Sequence, residues 1–475
     1  MPYVSLQGCD FFANFACMSS IHHKTDGVKP PRAQFNTRIG VIATTVGSAV
    51  GLGNIWRFPY EAGVHGGGAF MLVYGAFILV IGIPVVTAEF IIGRNSGTNV
   101  YGAFKRLHGS PYWRIVGAIG ILASLMILSF YSVVAGWTAD YIVRSVQNFS
   151  GAHTQEALHQ QFGEFTSSWS AVGWTVMFLL ANFWILRRGV QKGIEKMSNI
   201  MMPALFVLLL IFCVNSLFLP GASEGLTFLF KPDFTKIDSS VMLGAMGQAF
   251  FTLSLGLGCL ITYSSYFNRR TDLVRTASTS AALDTLVAVL AGIIIFPAVF
   301  TFGQSPAEGP KLVFEVLPAI FYNMQWGMVW STLFFVLLFL ASLTSTISMS
   351  EISIAYFCEE RKMGRTQATV LNTVIAIVFG SLCSLSFGPL AGMKIFGMTL
   401  FDLFDFVSSN VLLPIGGMLI SIFVGWVLKR SVIDAEIGGS GAGRRFLVGL
   451  IVACLRYVAP VCILIVFLGG LGLFD

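Results

Sequence analysis

Two apolar stretches of the chain are interrupted near their middles by glycine-rich segments, Gly47-Ser48-Ala49-Val50-Gly51-Leu52-Gly53 and Thr252-Leu253-Ser254-Leu255-Gly256-Leu257-Gly258. Glycine weakens a helix and lets its backbone amides and carbonyls face a ligand. The chemistry on offer is non-covalent: amides at a helix start attract an anion, and carbonyls at a helix end attract a cation. Bare backbone among apolar residues at membrane depth is tolerated where it lines a protein cavity. Matching interruptions in the two halves of a chain mark a transporter's binding site. Close helix packing is the other use of such glycines. For either segment alone it stands level, but the duplication, with the hydroxyls of Thr252 and Ser254 beside the second break, argues against it.

The elements that must position these segments follow from composition. Of the 475 residues, 55% are hydrophobic and 11% charged, and the mean hydropathy is +0.78. So much apolar surface requires lipid as its solvent. Apolar windows predict an all-α polytopic membrane protein of eleven spans, near 38–62, 69–93, 115–147, 170–186, 197–219, 241–266, 277–303, 326–357, 368–386, 398–428 and 446–473. Of 29 Lys and Arg residues, 22 fall on one side of these spans, 5 on the other (Arg144, Lys231, Lys236, Lys311, Lys394) and 2 within spans (Arg57, Arg456). The bias predicts a cytoplasmic N-terminus and, with an odd span count, an external Asp475.

The net charge of +6 is spread over membrane loops, which argues against nucleic-acid binding. The 8 cysteines occur singly and mostly within spans, without metal-ligand or disulfide spacing. No nucleotide loop or catalytic triad is present, so neither an ATP-driven pump nor an enzyme is expected. Residues 1–37 read as a polar and aromatic cytoplasmic leader without the pattern of a signal peptide; Met18 is an alternative start.

The run from Gly47 through Asn54, Ile55, Trp56, Arg57, Phe58 and Pro59, then Gly66-Gly67-Gly68-Ala69-Phe70, Gln248 through Gly256, and Ala341-Ser342-Leu343-Thr344-Ser345 strongly resemble the neurotransmitter:sodium symporter family. The resemblance runs from about Arg32 to the end of the chain, in its eleven-span bacterial form. It implies two inverted five-helix repeats, residues 38–219 and 241–428, with the first and sixth helices broken and residues 446–475 forming the last span and a short external C-terminus. It also implies sodium-driven uptake by alternating access in the cell inner membrane.

Position by position, the resemblance implies one sodium site from the Ala49 carbonyl, the side chains of Asn54, Thr252 and Asp284, and the substrate's own carboxylate. A second site would use the carbonyls of Gly47, Val50 and Ala341 with the hydroxyls of Thr344 and Ser345. Neutral oxygens suit a hard monovalent cation that must also leave, although hydroxyls at 344–346 are equally explained by bonds to carbonyls one turn back. The substrate carboxylate would meet the amides of Gly51 and Gly53 and the Tyr131 hydroxyl. Its ammonium would meet carbonyls of Ala49, Phe251 and Thr252 with Ser254. Ser48, Ile127, Phe251, Leu257, Ser345 and Met349 would surround the side chain. Glycine at position 51, where amine transporters of the family carry aspartate, implies a substrate with its own carboxylate, and the apolar wall favours neutral hydrophobic or aromatic amino acids.

Intramembrane charge implies a task. Arg57 resembles the family's outer gate residue, with Asp405 as partner and Phe251 as lid; Glu61, four residues along the same helix, is the rival partner. Arg32 with Glu359 and Tyr266 correspond to the inner gate, and Glu89 to an acceptor for the broken sixth helix. Asp284 replaces the family's usual asparagine, and Ala288 stands where chloride-dependent members place serine, while Tyr74, Gln248 and Ser254 keep other parts of that pocket. A resident carboxylate can supply the charge chloride supplies elsewhere, so chloride independence is expected; a protonated Asp284 that only donates a hydrogen bond is the other reading. A non-transporting amino-acid sensor is the alternative function.

Overall fold

Apolar runs of this length satisfy their backbone polar groups in lipid by closing them within helices. The computed structural model describes residues 34–151, 155–303, 312–322, 324–437 and 441–473. There the chain is helical, and its single extended pairing is an isolated bridge between Ile395 and Met398. Most of the leader, Arg32, Met18 and Asp475 lie outside the described residues.

The first span is bent: α1 (Arg38–Ala49) and α2 (Gly53–Val64) meet at 54°. There follow α3 (Gly68–Ser96), the loop helix α4 (Val100–Leu107), α5 (Pro111–Val146), the loop helix α6 (Gln155–Thr166), α7 (Trp169–Leu186), α8 (Val190–Ser216) and α9 (Ala222–Phe230). The second half holds α10 (Ser239–Thr252), α11 (Cys259–Ser264), α12 (Leu273–Thr301), α13 (Leu317–Tyr322), α14 (Gly327–Glu359), α15 (Arg365–Leu385), α16 (Leu400–Val427), α17 (Arg430–Ile437) and α18 (Ala442–Gly470). Among the described residues nine helices are long and apolar enough to cross a membrane, or ten with α1 and α2 taken together. These match ten of the eleven predicted spans. The remaining one, 241–266, is split into α10 and a six-residue α11, so neither piece is a full span.

The cause of each break is local. Val50 caps α1 in an extended conformation (φ −66°, ψ 119°), which the helix cannot continue. In the second break Ser254, Gly256 and Gly258 have φ of 53°, 83° and 78°, the left-handed region that ends a helix and suits glycine. Gly256 has a further constraint, since a Cβ there would stand 2.3 Å from the Leu413 carbonyl oxygen of α16. Both breaks lie beside α14, which packs along α5 at the centre of the described structure. Ala341, Ser342, Thr344, Ser345 and Ser348 are buried along α14, and small side chains of this kind permit close helix approach in a membrane.

Candidate functional site

Ser48, Ala49, Gly51, Gly53, Ile127, Tyr131, Phe251, Thr252, Ser254, Leu257, Ser345 and Met349 line one cavity between the two breaks, together with Leu413. Every residue expected around the substrate is therefore in one place, contributed by α1, α2, α5, α10, α14 and the broken segments. Leu413 was not anticipated: it comes from an unremarkable apolar run, on a stretch of α16 that Gly256, Gly416 and Gly417 let lie close to the second break.

On one flank, the Asn54 amide nitrogen donates to Thr252 Oγ1 (2.9 Å), to Asp284 Oδ1 (2.8 Å) and to the Asp284 carbonyl (3.1 Å). Thr252 donates in turn to Asp284 Oδ2 at 2.9 Å. Asn54, Thr252 and Asp284 are all buried. On another flank, Ser345 donates to the Val50 carbonyl at 3.0 Å and Thr344 to the Ala341 carbonyl at 2.9 Å. Gly47 adjoins them, 3.6 Å separating its would-be Cβ from Thr344 Cβ. The hydroxyls on α14 thus divide. Thr344 and Thr346 bond back to carbonyls one turn earlier in their own helix, whereas Ser345 reaches across to the broken first span.

The amides are disposed differently from the expectation for a carboxylate. Gly51 N–H donates to Asn54 Oδ1 at 3.0 Å, and the Tyr131 hydroxyl accepts from Leu52 N–H at 2.9 Å. Gly51 is also crowded, because a Cβ there would lie 2.4 Å from Ser345 Oγ and 2.7 Å from Tyr131 Oη. Glu89 Oε1 accepts from Gly256 N–H at 2.9 Å, as expected of a carboxylate facing the second break. Near Asp284, Gln248 Nε2 donates to the Gly53 carbonyl at 3.0 Å, while Tyr74 Oη and Gln248 Oε1 are buried without a partner among the described residues.

Above this cavity lies a second, of about 370 Å³, whose lining includes Arg57, Glu61, Phe130, Phe401 and Asp405. Gly53, Tyr131 and Phe251 border both cavities. In this conformation Arg57 is not paired with Asp405 but has Glu61, the rival partner, as the carboxylate beside it. Its Nε lies 3.5 Å from Glu61 Oε1 and its guanidinium 4.3 Å over the Phe251 ring. Asp405 instead accepts from Ser409 at 2.9 Å. With the width of the cavity between them, the i,i+4 neighbour is the carboxylate in reach.

The opposite end is closed. Tyr266 donates to Glu351 Oε1 at 2.7 Å, and Arg365 grips the same carboxylate through both terminal nitrogens (2.8 and 2.6 Å). Phe35 N–H donates to the Tyr266 carbonyl at 3.1 Å, with its ring edge-on to Tyr263 and Tyr266. Below it, the amides of Asn36 and Thr37 donate to the Glu195 carboxylate at 3.0 and 3.2 Å. Glu359 accepts from the backbone and side chain of Asn99 (2.9 and 3.0 Å); its expected partner Arg32 lies outside the described residues. Sequence reasoning missed Glu351 and Arg365. The available signal was a carboxylate inside an apolar span, which is expensive unless paired. Glu195, in a span-end cluster of charge, carried no such signal. Among the described residues no group of three His, Cys, Asp or Glu side chains could hold a transition metal, and the polar groups around the breaks are hard oxygen donors.

Two broken spans around a central oxygen-lined cavity, wider on one side and sealed on the other, define a membrane transporter. The sequence model of the sodium:neurotransmitter symporter family matches residues 32–162 and 152–474, and the chain belongs to that family. It is 39% identical over 444 residues to the sodium-dependent transporter YhdH of Bacillus subtilis, covering 93% of this chain and 98% of that one. A sodium-dependent transporter of Haemophilus influenzae is 35% identical over 452 residues, covering 93% and 98%. The crystal structure of MhsT in complex with L-phenylalanine superposes with a TM-score of 0.85 at 44% identity, covering 92% of this chain and 100% of that one. The protein is thus a sodium-dependent transporter embedded in a membrane, and not an enzyme.

Proposed function

We propose that this protein is a chloride-independent symporter that uses two sodium ions to import neutral, mainly hydrophobic or aromatic amino acids across the cell inner membrane. The observation that carries the reading is the single cavity in which all twelve substrate candidates meet, flanked by the Asn54–Thr252–Asp284 and Val50–Ala341–Thr344–Ser345 oxygen clusters. The phenylalanine in the MhsT complex supports an amino-acid substrate of that character.

In this reading the two sodium ions are cargo. One would take oxygens of Ala49, Asn54, Thr252 and Asp284 together with the substrate carboxylate, which makes solute and ion bind as a unit. The other would tie the broken first span to α14 through Gly47, Val50, Ala341, Thr344 and Ser345. The Asn54 and Thr252 contacts to Asp284 are the bonds an entering cation would replace. Leu257, Ile127, Met349 and Leu413 supply the apolar wall. Arg57 and Asp405 would approach one another above Phe251 to occlude the cavity. The Tyr266–Glu351–Arg365 cluster and the Phe35 contacts would release for cytoplasmic exit. Residues 38–219 and 241–428 are the two repeats that move against one another, with the N-terminus cytoplasmic and Asp475 outside.

The test is uptake into sodium-energised proteoliposomes of labelled leucine, with each of the twenty amino acids, dopamine and serotonin as competitors. Leucine, phenylalanine, tyrosine and tryptophan should compete and the amines should not. Sodium-driven uptake of an amine lacking a carboxylate would overturn the reading.

A further inference from the structure

We propose that His65 is a positioning residue of the outer gate, its charge determining whether Glu61 holds Arg57 away from Asp405. This rests on the reading of Arg57 as a gate. Glu61 stands between two basic side chains on one helix: Arg57 Nε is 3.5 Å from Oε1, and His65 Nδ1 is 3.4 Å from Oε2. Each lies four residues away, the spacing at which helical side chains meet. His65 Nδ1 is also 2.9 Å from the Glu61 carbonyl. A carbonyl only accepts, so Nδ1 carries the proton in the neutral ring and an added proton goes to Nε2. The resulting cation sits against the carboxylate that Arg57 uses.

Protonation acts in one direction by two routes. The imidazolium competes for Glu61, and it repels the nearby guanidinium. Both favour transfer of Arg57 to Asp405, the carboxylate across the outer cavity that here accepts only from Ser409 among the described residues. Histidine is the side chain whose charge ordinarily changes between about pH 5 and 8, so external acid should promote occlusion.

The ring is held where this coupling needs it. It stacks on Phe70 of α3 with centroids 5.7 Å apart at 15°, and a Cβ on Gly244 of α10 would lie 2.6 Å from its Cε1. Gly66 and Gly67 follow with φ of 80° and 61°. A Cβ on Gly67 would strike the Phe228 carbonyl at 2.2 Å, which fixes the turn that ends α2. A cavity of about 330 Å³ containing Arg57, Glu61 and His65, bounded by α10 and α18, gives the group an aqueous route. The other charges nearby are committed elsewhere. Lys236, beside Gly66, lies 3.9 Å from Asp233, and Asp238 caps α10 through Val241 N–H. Phe70 from α3, and Val466, Gly469 and Gly470 from α18, bring no charge.

The experiment measures release of labelled L-phenylalanine from the purified full-length protein at fixed sodium, from pH 8 to pH 5.5. An i,i+4 pair of this kind supports a slowing of roughly two- to fivefold in acid. His65→Gln should give a pH-independent rate near that of the unmodified protein at pH 8, and His65→Lys a pH-independent slow rate. Asp405→Asn should also remove the response. If His65→Gln cannot bind phenylalanine at pH 8, His65→Asn answers the same question. An unchanged pH profile in the glutamine or asparagine variant, or a flat profile in the unmodified protein, would overturn the proposal while leaving the transporter reading intact. Absence of sodium-dependent phenylalanine binding at pH 8 would overturn that reading and the proposal with it.

Discussion

At Gly51 two separate arguments converge on the absence of a side chain. Chemically, in the proposed reading a carboxylate here would stand where the substrate's own would bind; sterically, Ser345 Oγ and Tyr131 Oη already occupy the space a Cβ would enter, at 2.4 and 2.7 Å. Gly51→Asp should therefore lower leucine uptake at least tenfold, about 1.4 kcal/mol or more in binding, and gain no dopamine uptake; wild-type leucine transport by this variant would dismiss both arguments. Gly256 makes a different demand, because its φ of 83° and its approach to the Leu413 carbonyl strain any residue with a Cβ. Gly256→Ala should cost roughly 1–3 kcal/mol of stability from backbone strain alone, read as a lower midpoint of thermal unfolding in detergent. Both glycines were visible in the sequence as part of a pattern. Their individual reasons were not, since Ser345, Tyr131 and Leu413 are distant in the chain.

At the scale of helices, the proposed reading gives α2 and α16 the two halves of an outer pair, apart in this conformation, and α14 and α15 an inner pair that is formed. Arg57→Ala and Asp405→Ala should each reduce transport more than equilibrium binding of labelled leucine, because the pair would close over substrate already bound. Equal loss of transport and binding in both variants, shared by Glu61→Ala, would make Arg57 a residue anchored within its own helix. On the inner side Glu351 is fully buried and Arg365 about a quarter exposed, at 2.6 Å. Removing one partner of such a buried pair costs on the order of 3–5 kcal/mol locally. Arg365→Ala should therefore favour the inward-open form, seen as greater labelling from the cytoplasmic side of a cysteine placed at Ser348, with Arg365→Lys intermediate because its single ammonium cannot grip both oxygens. Unaltered labelling in the alanine variant would remove this cluster from the gate. The span pattern predicted ten of these helical units closely, and the split of the sixth followed from Gly256 and Gly258. Glu351–Arg365, Glu195 with Asn36, and the buried contact of Arg94 with Glu436 were not legible, because ion pairs between remote segments leave no local periodicity.

Across the whole transport cycle the governing quantity is the charge carried through the low-dielectric centre. In the proposed cycle two sodium ions with a zwitterion would bring net positive charge, and an uncompensated cation there is expensive. Asp284 is buried in contact with Asn54 and Thr252, so its carboxylate, when ionised, is placed to offset one charge. Ala288, on the same helix, is buried and offers no hydroxyl, although the buried Tyr74 Oη nearby has no hydrogen-bond partner among the described residues. Replacing chloride by gluconate should therefore leave sodium-driven uptake nearly unchanged. Asp284→Asn removes the resident charge and should weaken sodium binding, and Asp284→Asn with Ala288→Ser should restore it when chloride is supplied, since the added hydroxyl and Tyr74 can both donate to an anion. If Asp284 takes up a proton on the empty return step, uptake should also be stimulated by an outward proton gradient in the unmodified protein and not in Asp284→Asn. Strong chloride dependence of the unmodified protein would defeat the idea that the carboxylate replaces the anion, whereas chloride independence without a proton effect would retain it and remove only the return-step protonation.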